Sequence, residues 1–351
     1  MARSIRRHPA WGGRPMPDYD FRSLAVVIVD HESNTRRLLR GILARMGVDK
    51  ILDLPDTSEL SAAMIAVQPD LLFIDADASD PGGLKFVQGL RHAQAPHNPF
   101  VGVIVTTWQP TQPLLLRFNS TGADDMMVKP FSTKQVQDRL TNLIEARKSF
   151  VVTADYIGPD RRRQPREGIQ IPLFEVPNTL RMKALGQFDR NRAADAIADS
   201  LDAINQQKIV RSGFQVAFLI DFALPGLMAG ADRMSGDHLL RAGLALEDMM
   251  RRLKPESDVR KQAESYAAII RKAVDQFKTT PDQPLHGPQA LRVAAMGVAA
   301  LTSRRADLTA VENEVRGAVN AYRTRLAQIA QAKAEQQQVS ERDMAGEKPA
   351  G

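Results

Sequence analysis

Cysteine is absent from the 351 residues. That excludes disulfides, thiolate nucleophiles and Cys-ligated metal sites, and it suits a reducing compartment. Aromatic residues are scarce, at 5%, so Ala, Leu and Val carry the apolar load, a balance that leans toward helices. No apolar run is long enough to read as a membrane span. The longest, from Phe214 to Met228, is interrupted by Asp221 and Pro225 and falls short of the ~20 residues a spanning helix needs. The opening stretch, MARSIRRHPAWGGRPMPDYD, is basic but has no apolar centre, so it does not read as a secretory signal. Its Arg and Pro without periodicity predict a disordered basic tail over 1–21.

What is present suits two globular domains: 43% hydrophobic and 25% charged residues. Lys and Arg outnumber Asp and Glu, 47 to 41. A positive balance can mark nucleic-acid or anionic-surface binding, but the Arg clusters lie outside the predicted cores. The charge is therefore assigned to tails and linkers, and DNA binding is not expected.

The first half alternates strands and helices. Residues 24–29, LAVVIV, form a continuous branched apolar run ending at Asp30, which reads as a strand buried on both faces. A helix follows over Asn34–Met46, with Leu38, Leu39, Ile42 and Leu43 at helical spacing and Gly47 as its stop. The unit then repeats: strand Lys50–Leu54 and helix Ser58–Val67; strand Leu71–Ile74 ending at Asp75, and helix Leu84–Leu90. Strand Val101–Val105 ends at Thr106 before a short helix, Leu114–Asn119, closed by Gly122. Strand Met126–Val128 ends at Lys129-Pro130, and Ser132 opens a helix through Arg147. Five strand–helix pairs predict a five-stranded doubly wound parallel sheet. In such sheets ligands sit at the carboxyl ends of the strands. Those ends carry Asp30, Asp75, Thr106 and Lys129: two carboxylates, a hydroxyl and an ammonium on one rim.

With IVDHE, LFIDAD, IVTT and VKPF in that order, the segment resembles the CheY-like receiver domain of bacterial two-component response regulators. The resemblance covers about Leu24 to Ala146. It implies a flavodoxin-like fold and a phosphoryl group accepted on Asp75, with self-catalysed phosphotransfer rather than turnover of a substrate. It implies Mg²⁺ held by Asp30, Asp75 and the backbone carbonyl of Asp77, Lys129 against the phosphoryl oxygens, and Thr106 donating its hydroxyl to them. It also implies a sensor histidine kinase or phosphotransfer protein as donor, a cytoplasmic setting, and read-out on the face of the fourth helix, fifth strand and fifth helix. One departure stands out. The family usually places two adjacent acids after its first strand, whereas here the second is His31, followed by Glu32. Imidazole is a poor Mg²⁺ ligand, so weaker Mg²⁺ binding is expected, with Glu32 a further candidate ligand. Thr107 stands where a smaller residue is usual, Met126 where an aromatic is usual, and Asp77 and Trp108 flank the acceptor.

With the receiver taken as 22–148, residues 149–177 read as an Arg-rich linker punctuated by Gly158-Pro159. Its Arg161, Arg162, Arg163 and Arg166 are candidates for an anion site, since Arg forks grip phosphates. The spacing is similar to the arginine motif of PilZ domains, which bind cyclic di-GMP, but the later Asp/Asn-x-Ser-x-x-Gly and the strands of that family are missing. From 178 to 335 the apolar spacing is helical: Ala193–Ile204, Leu239–Leu253, the stripe Val259, Ala263, Tyr266, Ile270, Ala273 and Phe277, then Leu291–Leu301 and Leu308–Ile329. These amphipathic faces predict an all-α bundle of five or six helices serving as an output or interaction module for an unidentified protein. No helix-turn-helix, P-loop or zinc motif is legible, and His238 and His286 read as structural or surface residues. The stripe of the last helix leaves homodimerisation open, and 336–351 reads as a disordered tail.

Overall fold

The computed structural model describes residues 19–77, 82–93, 97–162, 172–230, 233–304 and 307–346, with side chains through 336. The chain divides into two compact units between Ile204 and Asn205.

In the first unit, the expected alternation is realised as a parallel sheet. Its strands are β1 (Ala25–Val29), β2 (Lys50–Leu54), β3 (Leu71–Asp75), β4 (Gly102–Thr107) and β5 (Asp125–Val128), in the spatial order β2-β1-β3-β4-β5. The interleaved helices are α1 (Ser33–Arg45), α2 (Leu60–Val67), α3 (Gly82–Arg91), α4 (Gln112–Thr121) and α5 (Thr133–Glu145). Successive side chains of a strand point to opposite faces, and the cores divide accordingly. Val26, Ile28, Leu71, Phe73 and Ile104 meet Leu39, Ile42 and Leu43 of α1 and Val136, Leu140 and Ile144 of α5. Val27, Val29, Leu72, Ile74, Val103 and Val105 meet Leu60 and Met64 of α2, Leu84, Val87 and Leu90 of α3, and Leu114 and Phe118 of α4. Leu38, counted into the α1 stripe from spacing alone, faces outward. The order reverses between β1 and β3, the switch point where such sheets bind ligands; Asp30 and Asp75 stand there.

Two local features fix the rim. Gly83 lies so close to β3 that a Cβ there would meet the Asp75 carbonyl oxygen at 2.9 Å, so a side chain would push α3 off the strand end. Ser132, four residues after Val128, caps α5 reciprocally with Gln135, a capping box that starts the helix at Thr133.

The unit extends past the expected receiver limits on both sides. Within the expected tail, Phe21 is buried with Leu24 and Val48, Tyr19 Oη donates to Glu145 Oε1 at 2.9 Å, and Asp20 N–H donates to Ala184 O at 2.9 Å; residues 1–18 lie outside the described residues. In the expected linker, β6 (Phe150–Val152), β7 (Ile157–Pro159) and β8 (Leu173–Phe174) form an antiparallel sheet in the order β7-β6-β8. The apolar residues of that stretch explain the difference: Phe150, Val152 and Ile157 are buried with Phe100 and Ile204 in a core of their own. β7 lies backbone against backbone on the α4–β5 turn, where Gly122 has φ +82° and a Cβ on Gly158 would stand 2.5 Å from Gly122 Cα. Next, α6 (Thr179–Ala184) packs Leu180 and Ala184 into the α1/α5 core and ties Lys183 Nζ to Asp70 at 2.8 Å. The expected output-domain start at 178 therefore falls inside the first unit.

One buried charge cluster joins these pieces. Asp124 accepts from Arg91 Nη2, Arg147 Nε and the Val103 N–H, each at 2.8 Å. Arg91 also donates to the carbonyls of Gly122 and Val101, at 2.8 and 2.9 Å, and Arg147 to that of Phe100 at 2.7 Å. Both guanidinium groups lie 5.3 Å from the Phe150 ring centroid.

The helix expected over Ala193–Ile204 is part of one longer helix, α7 (Arg190–Met228), which also takes in the apolar run from Phe214 and has Pro225 near its end. By length and composition this helix is apolar enough to cross a membrane, although 44% of its most apolar window is buried. In the second unit its later half (Val216, Ala217, Ile220, Ala223) shares a core with α8 (Arg233–Arg252), α9 (Asp258–Thr279), α10 (Pro288–Ser303) and α11 (Leu308–Gly346). Small residues bring these helices together: Gly213 sits on Thr302, Gly236 on the Phe277 ring and Gly297 on the Tyr266 ring. α11 continues through Gly346, within the stretch expected to be a disordered tail; its Ala, Gln and Glu are good helix formers. His238 lies against Phe222, ring centroids 4.9 Å apart and planes tilted by 47°, and the His286 backbone N–H is held by Gln276.

Burial raises the Asp124 carboxyl, but Arg147 and Arg91 outweigh it and hold it below its ordinary value. A carboxyl depressed in this way contributes stability that is present above its unfolded pKa, near ~4, and is lost as pH falls through the folded value. Asp124→Asn is expected to lower stability by about 3–5 kcal/mol, as for a buried pair losing one partner. Its denaturation midpoint should also fall less steeply than the parent's below pH ~4; urea titrations at neutral and acid pH check both.

Candidate functional site

The carboxyl ends of β1, β3 and β5 bring Asp30, Asp75 and Lys129 together because each follows or ends an apolar strand in the same parallel sheet. The three are buried, at 1%, 5% and 4% exposure. Lys129 Nζ stands between the carboxylates, 2.8 Å from Asp30 Oδ2 and 2.9 Å from Asp75 Oδ1, with Asp77 Oδ2 farther off at 3.9 Å. Thr106 pairs with Asp75 across the β3–β4 ladder and is buried. The sequence-predicted rim residues thus converge.

Charge compensation sets their protonation. Burial pushes the Asp75 carboxyl up, but hydrogen bonds from Lys129 Nζ, the Asp77 N–H and His31 overcome it and hold the group below its ordinary value. Burial holds Asp30 above its ordinary value, with the Asp75 charge adding to it, against Lys129 and the Glu32 N–H. Burial lowers Lys129, but Asp30 and Asp75 outweigh it and keep the ammonium charged. Asp75 is accordingly an ionised carboxylate held beside a cation.

Every Asp75 oxygen has a partner. Oδ1 accepts from Lys129 Nζ at 2.9 Å and from the Asp77 N–H at 3.1 Å. Oδ2 lies 2.6 Å from His31 Nδ1. An ionised carboxylate only accepts, so His31 carries its proton on Nδ1 in this contact. The His31 side chain is 48% exposed and 4.0 Å from Asp30 Oδ1. The position read as a missing acid is therefore filled by a donor that engages the acceptor directly. Glu32, weighed as a replacement ligand, is turned to its own helix, where Oε2 accepts from Thr35 Oγ1 at 2.9 Å.

The donor set suits a hard divalent cation. Asp30 Oδ2 is buried and takes no hydrogen bond of acceptable angle, although it contacts Lys129 Nζ. Ligand atoms of Asp30, His31 and Asp75 all lie within 4.8 Å of one another. The two carboxylates supply the oxygens that Mg²⁺ prefers, and His31 is the one member of the group that does not fit that preference.

Several contacts around the rim have no sequence signal. Thr107, fully buried, donates Oγ1 to Asp77 Oδ1 at 2.5 Å, and the Trp108 N–H donates to Asp77 Oδ2 at 2.5 Å. The Trp108 ring is 42% exposed, with its centroid 5.8 Å from Lys129 Nζ. Of the candidate anion site, Arg161 lies 4.2 Å from the Phe118 ring centroid and donates to Ala123 O at 2.7 Å, while Arg162 is chelated by Asp160. Arg163 and Arg166 lie outside the described residues.

A family model for the response regulator receiver domain matches residues 26–141. Among curated proteins, the chain is 27% identical over 126 residues to the cyclic di-GMP phosphodiesterase response regulator RpfG of Xanthomonas campestris, covering 36% of this chain and 33% of that protein. It is 30% identical over 115 residues to the KDP operon transcriptional regulatory protein KdpE of Escherichia coli, covering 33% of this chain and 48% of that one. It is 25% identical over 125 residues to a probable chemotaxis protein CheY of Rhizobium etli, covering 36% of this chain and 95% of that one. The chain thus spans only a third to about half of the length of the first two. Among solved structures, Vibrio cholerae chemotaxis protein CheY4 is 21% identical, covers 34% of this chain and 98% of that chain, and has a TM-score of 0.32. Strand order, the convergence of the rim residues and the family match agree on one conclusion. Residues 26–141 of this chain are a response regulator receiver domain.

Proposed function

We propose that this chain is a response regulator of a two-component phosphorelay, in which Asp75 accepts a phosphoryl group from a sensor histidine kinase or phosphotransfer protein in the cytoplasm. The observation that carries this reading is Lys129 Nζ held between Asp30 and Asp75 at the sheet's switch point. An ionised Asp75 oxygen attacks phosphorus, the new P–O bond replaces the donor's P–N bond, and the leaving imidazole takes up a proton. Lys129 offsets the charge gathering on the phosphoryl oxygens, and Thr106 donates its hydroxyl to them, so catalysis is chiefly positioning and charge stabilisation. Asp30, Asp75 and the Asp77 carbonyl would hold Mg²⁺, which when bound neutralises phosphoryl charge.

The helical unit is read as the output, a surface for another protein. RpfG and KdpE carry phosphodiesterase and transcriptional roles in their names, but this chain spans a third to a half of each, and neither activity is transferred to it. The chain is taken as a phosphoacceptor that catalyses only its own phosphorylation.

A second reading, a receiver fold kept as a scaffold without phosphotransfer, has one observation in its favour. His31 Nδ1 occupies Asp75 Oδ2 at 2.6 Å, so the attacking oxygen must first be released. Anion or cyclic-dinucleotide binding through Arg161, Arg162, Arg163 and Arg166 has less support, because Arg161 and Arg162 are committed to internal partners.

Incubation with Mg²⁺ and acetyl phosphate should give a phosphorylated species that is labile to alkali and to hydroxylamine, and Asp75→Asn should abolish it. Equal labelling of the variant, or no labelling of the parent by acetyl phosphate or by kinase, would sink the reading. His31→Asp adds a carboxylate and removes the donor on Asp75 Oδ2. It is expected to tighten Mg²⁺ on the order of tenfold, about 1.4 kcal/mol, in a calorimetric titration; an unchanged constant would show that His31 does not compete with the ion.

A further inference from the structure

The Asp77 side chain has no part in the chemistry just described, which uses only its backbone. Its carboxylate nevertheless bridges two loops across the mouth of the site. It belongs to the β3–α3 loop, and its N–H is spent on Asp75 Oδ1. Both of its oxygens reach to the far side: Oδ1 takes the Thr107 hydroxyl and Oδ2 the Trp108 N–H, each at 2.5 Å. Thr107 Oγ1 in turn accepts from the Gln109 N–H at 3.1 Å. The Thr107 side chain and the Trp108 N–H, just before α4, are therefore both held by one carboxylate, while the Thr107 backbone stays in β4, where its carbonyl accepts from the Lys129 N–H at 2.7 Å.

That carboxylate stands in an unfavourable field. Asp30, Asp75 and Asp77 bring three negative charges to one ammonium, and Asp77 has the poorest share, 3.9 Å from Lys129 Nζ against 2.8 and 2.9 Å for the others. Neutral donors, not a counter-charge, hold it. A phosphoryl group on Asp75 replaces one charge by about two and draws Lys129 toward its own oxygens. Asp77 then loses its share of the ammonium.

We propose that Asp77 is a positioning residue: its carboxylate latches Thr107 and Trp108 beside the acceptor in the resting protein, and phosphorylation of Asp75 expels it, freeing Trp108 and the approach to α4. The release half rests on Asp75 being the phosphoacceptor. The latch turns a change of charge at β3 into a change of restraint on the β4–α4 loop, without movement of the sheet. Thr107 is then the latch's far anchor, which gives a reason for a hydroxyl at a buried position beside Thr106.

Trp108 reports on this directly. The chain holds two tryptophans, so Trp11→Phe leaves Trp108 as the single emitter in the full-length protein. In that background, Mg²⁺ with beryllofluoride should red-shift Trp108 emission and raise its acrylamide quenching constant, with binding read separately as a bound ¹⁹F resonance. Asp77→Ala should show the shifted, quenchable Trp108 before beryllofluoride is added, and no further change after it. Thr107→Val, which keeps Asp77 and removes one anchor, should move the resting signal the same way, so the idea does not depend on one variant. A parent that binds beryllofluoride with Trp108 unchanged overturns the release, and an Asp77→Ala protein with the parent's resting emission overturns the latch. Absence of the bound ¹⁹F resonance in the parent overturns the phosphoacceptor reading and the release together, while the resting latch is then decided by Asp77→Ala alone.

Discussion

Lys129 carries the constraint on which the receiver's rim depends. Two buried carboxylates at the ends of adjacent central strands repel each other in a medium that screens poorly, and an ion taken out of water costs several kcal/mol unless it is paired. One ammonium within 3 Å of both Asp30 and Asp75 resolves that conflict and leaves Asp75 ionised. The remaining features follow from it. The β1–β3 reversal places the two acids side by side, Gly83 lets α3 close on β3, and the capping box at Ser132 sets the end of the segment that carries Lys129.

Unequal sharing of that cation explains the rest of the site. Asp30 and Asp75 hold Lys129 closely, and the leftover demand is met by hydrogen-bond donors: the Asp77 N–H and His31 Nδ1 on Asp75, the Glu32 N–H on Asp30, and Thr107 with the Trp108 N–H on Asp77. A site so arranged has carboxylates in excess of its one ammonium, an imbalance that a divalent cation would offset.

The sheet and its rim were legible because their signal is local and periodic. Branched apolar runs ending in Asp30, Asp75, Thr106 and Lys129 describe strands and their carboxyl ends together. The helical half was legible as amphipathic stripes, although the joining of 193–204 and 214–228 into α7 was not, since the stretch between them is polar yet still helix-forming. Other features left no trace because they pair isolated residues far apart in sequence. Arg91, Asp124 and Arg147 meet through the fold, not through spacing, and Asp77 meets Thr107 and Trp108 in the same way. The sheet of β6, β7 and β8 was hidden for another reason. Its strands are two or three residues long, and the neighbouring Arg cluster and Gly158-Pro159 made the stretch look like solvated linker, while the residues that bury it, Phe100 and Ile204, lie outside it.

The contact of β7 on the α4–β5 turn separates two boundaries that are often treated as one. The family's segment ends at residue 141, but Phe150 covers the guanidinium groups of Arg91 and Arg147, and backbone meets backbone at Gly122 and Gly158. Cutting the chain where the shared homology stops would uncover Phe100 and strip the apolar face from a buried ion cluster. The stretch inherited in common with other receivers is thus shorter than the stretch that must fold together here, and a fragment trimmed to the former would lack part of its own interior.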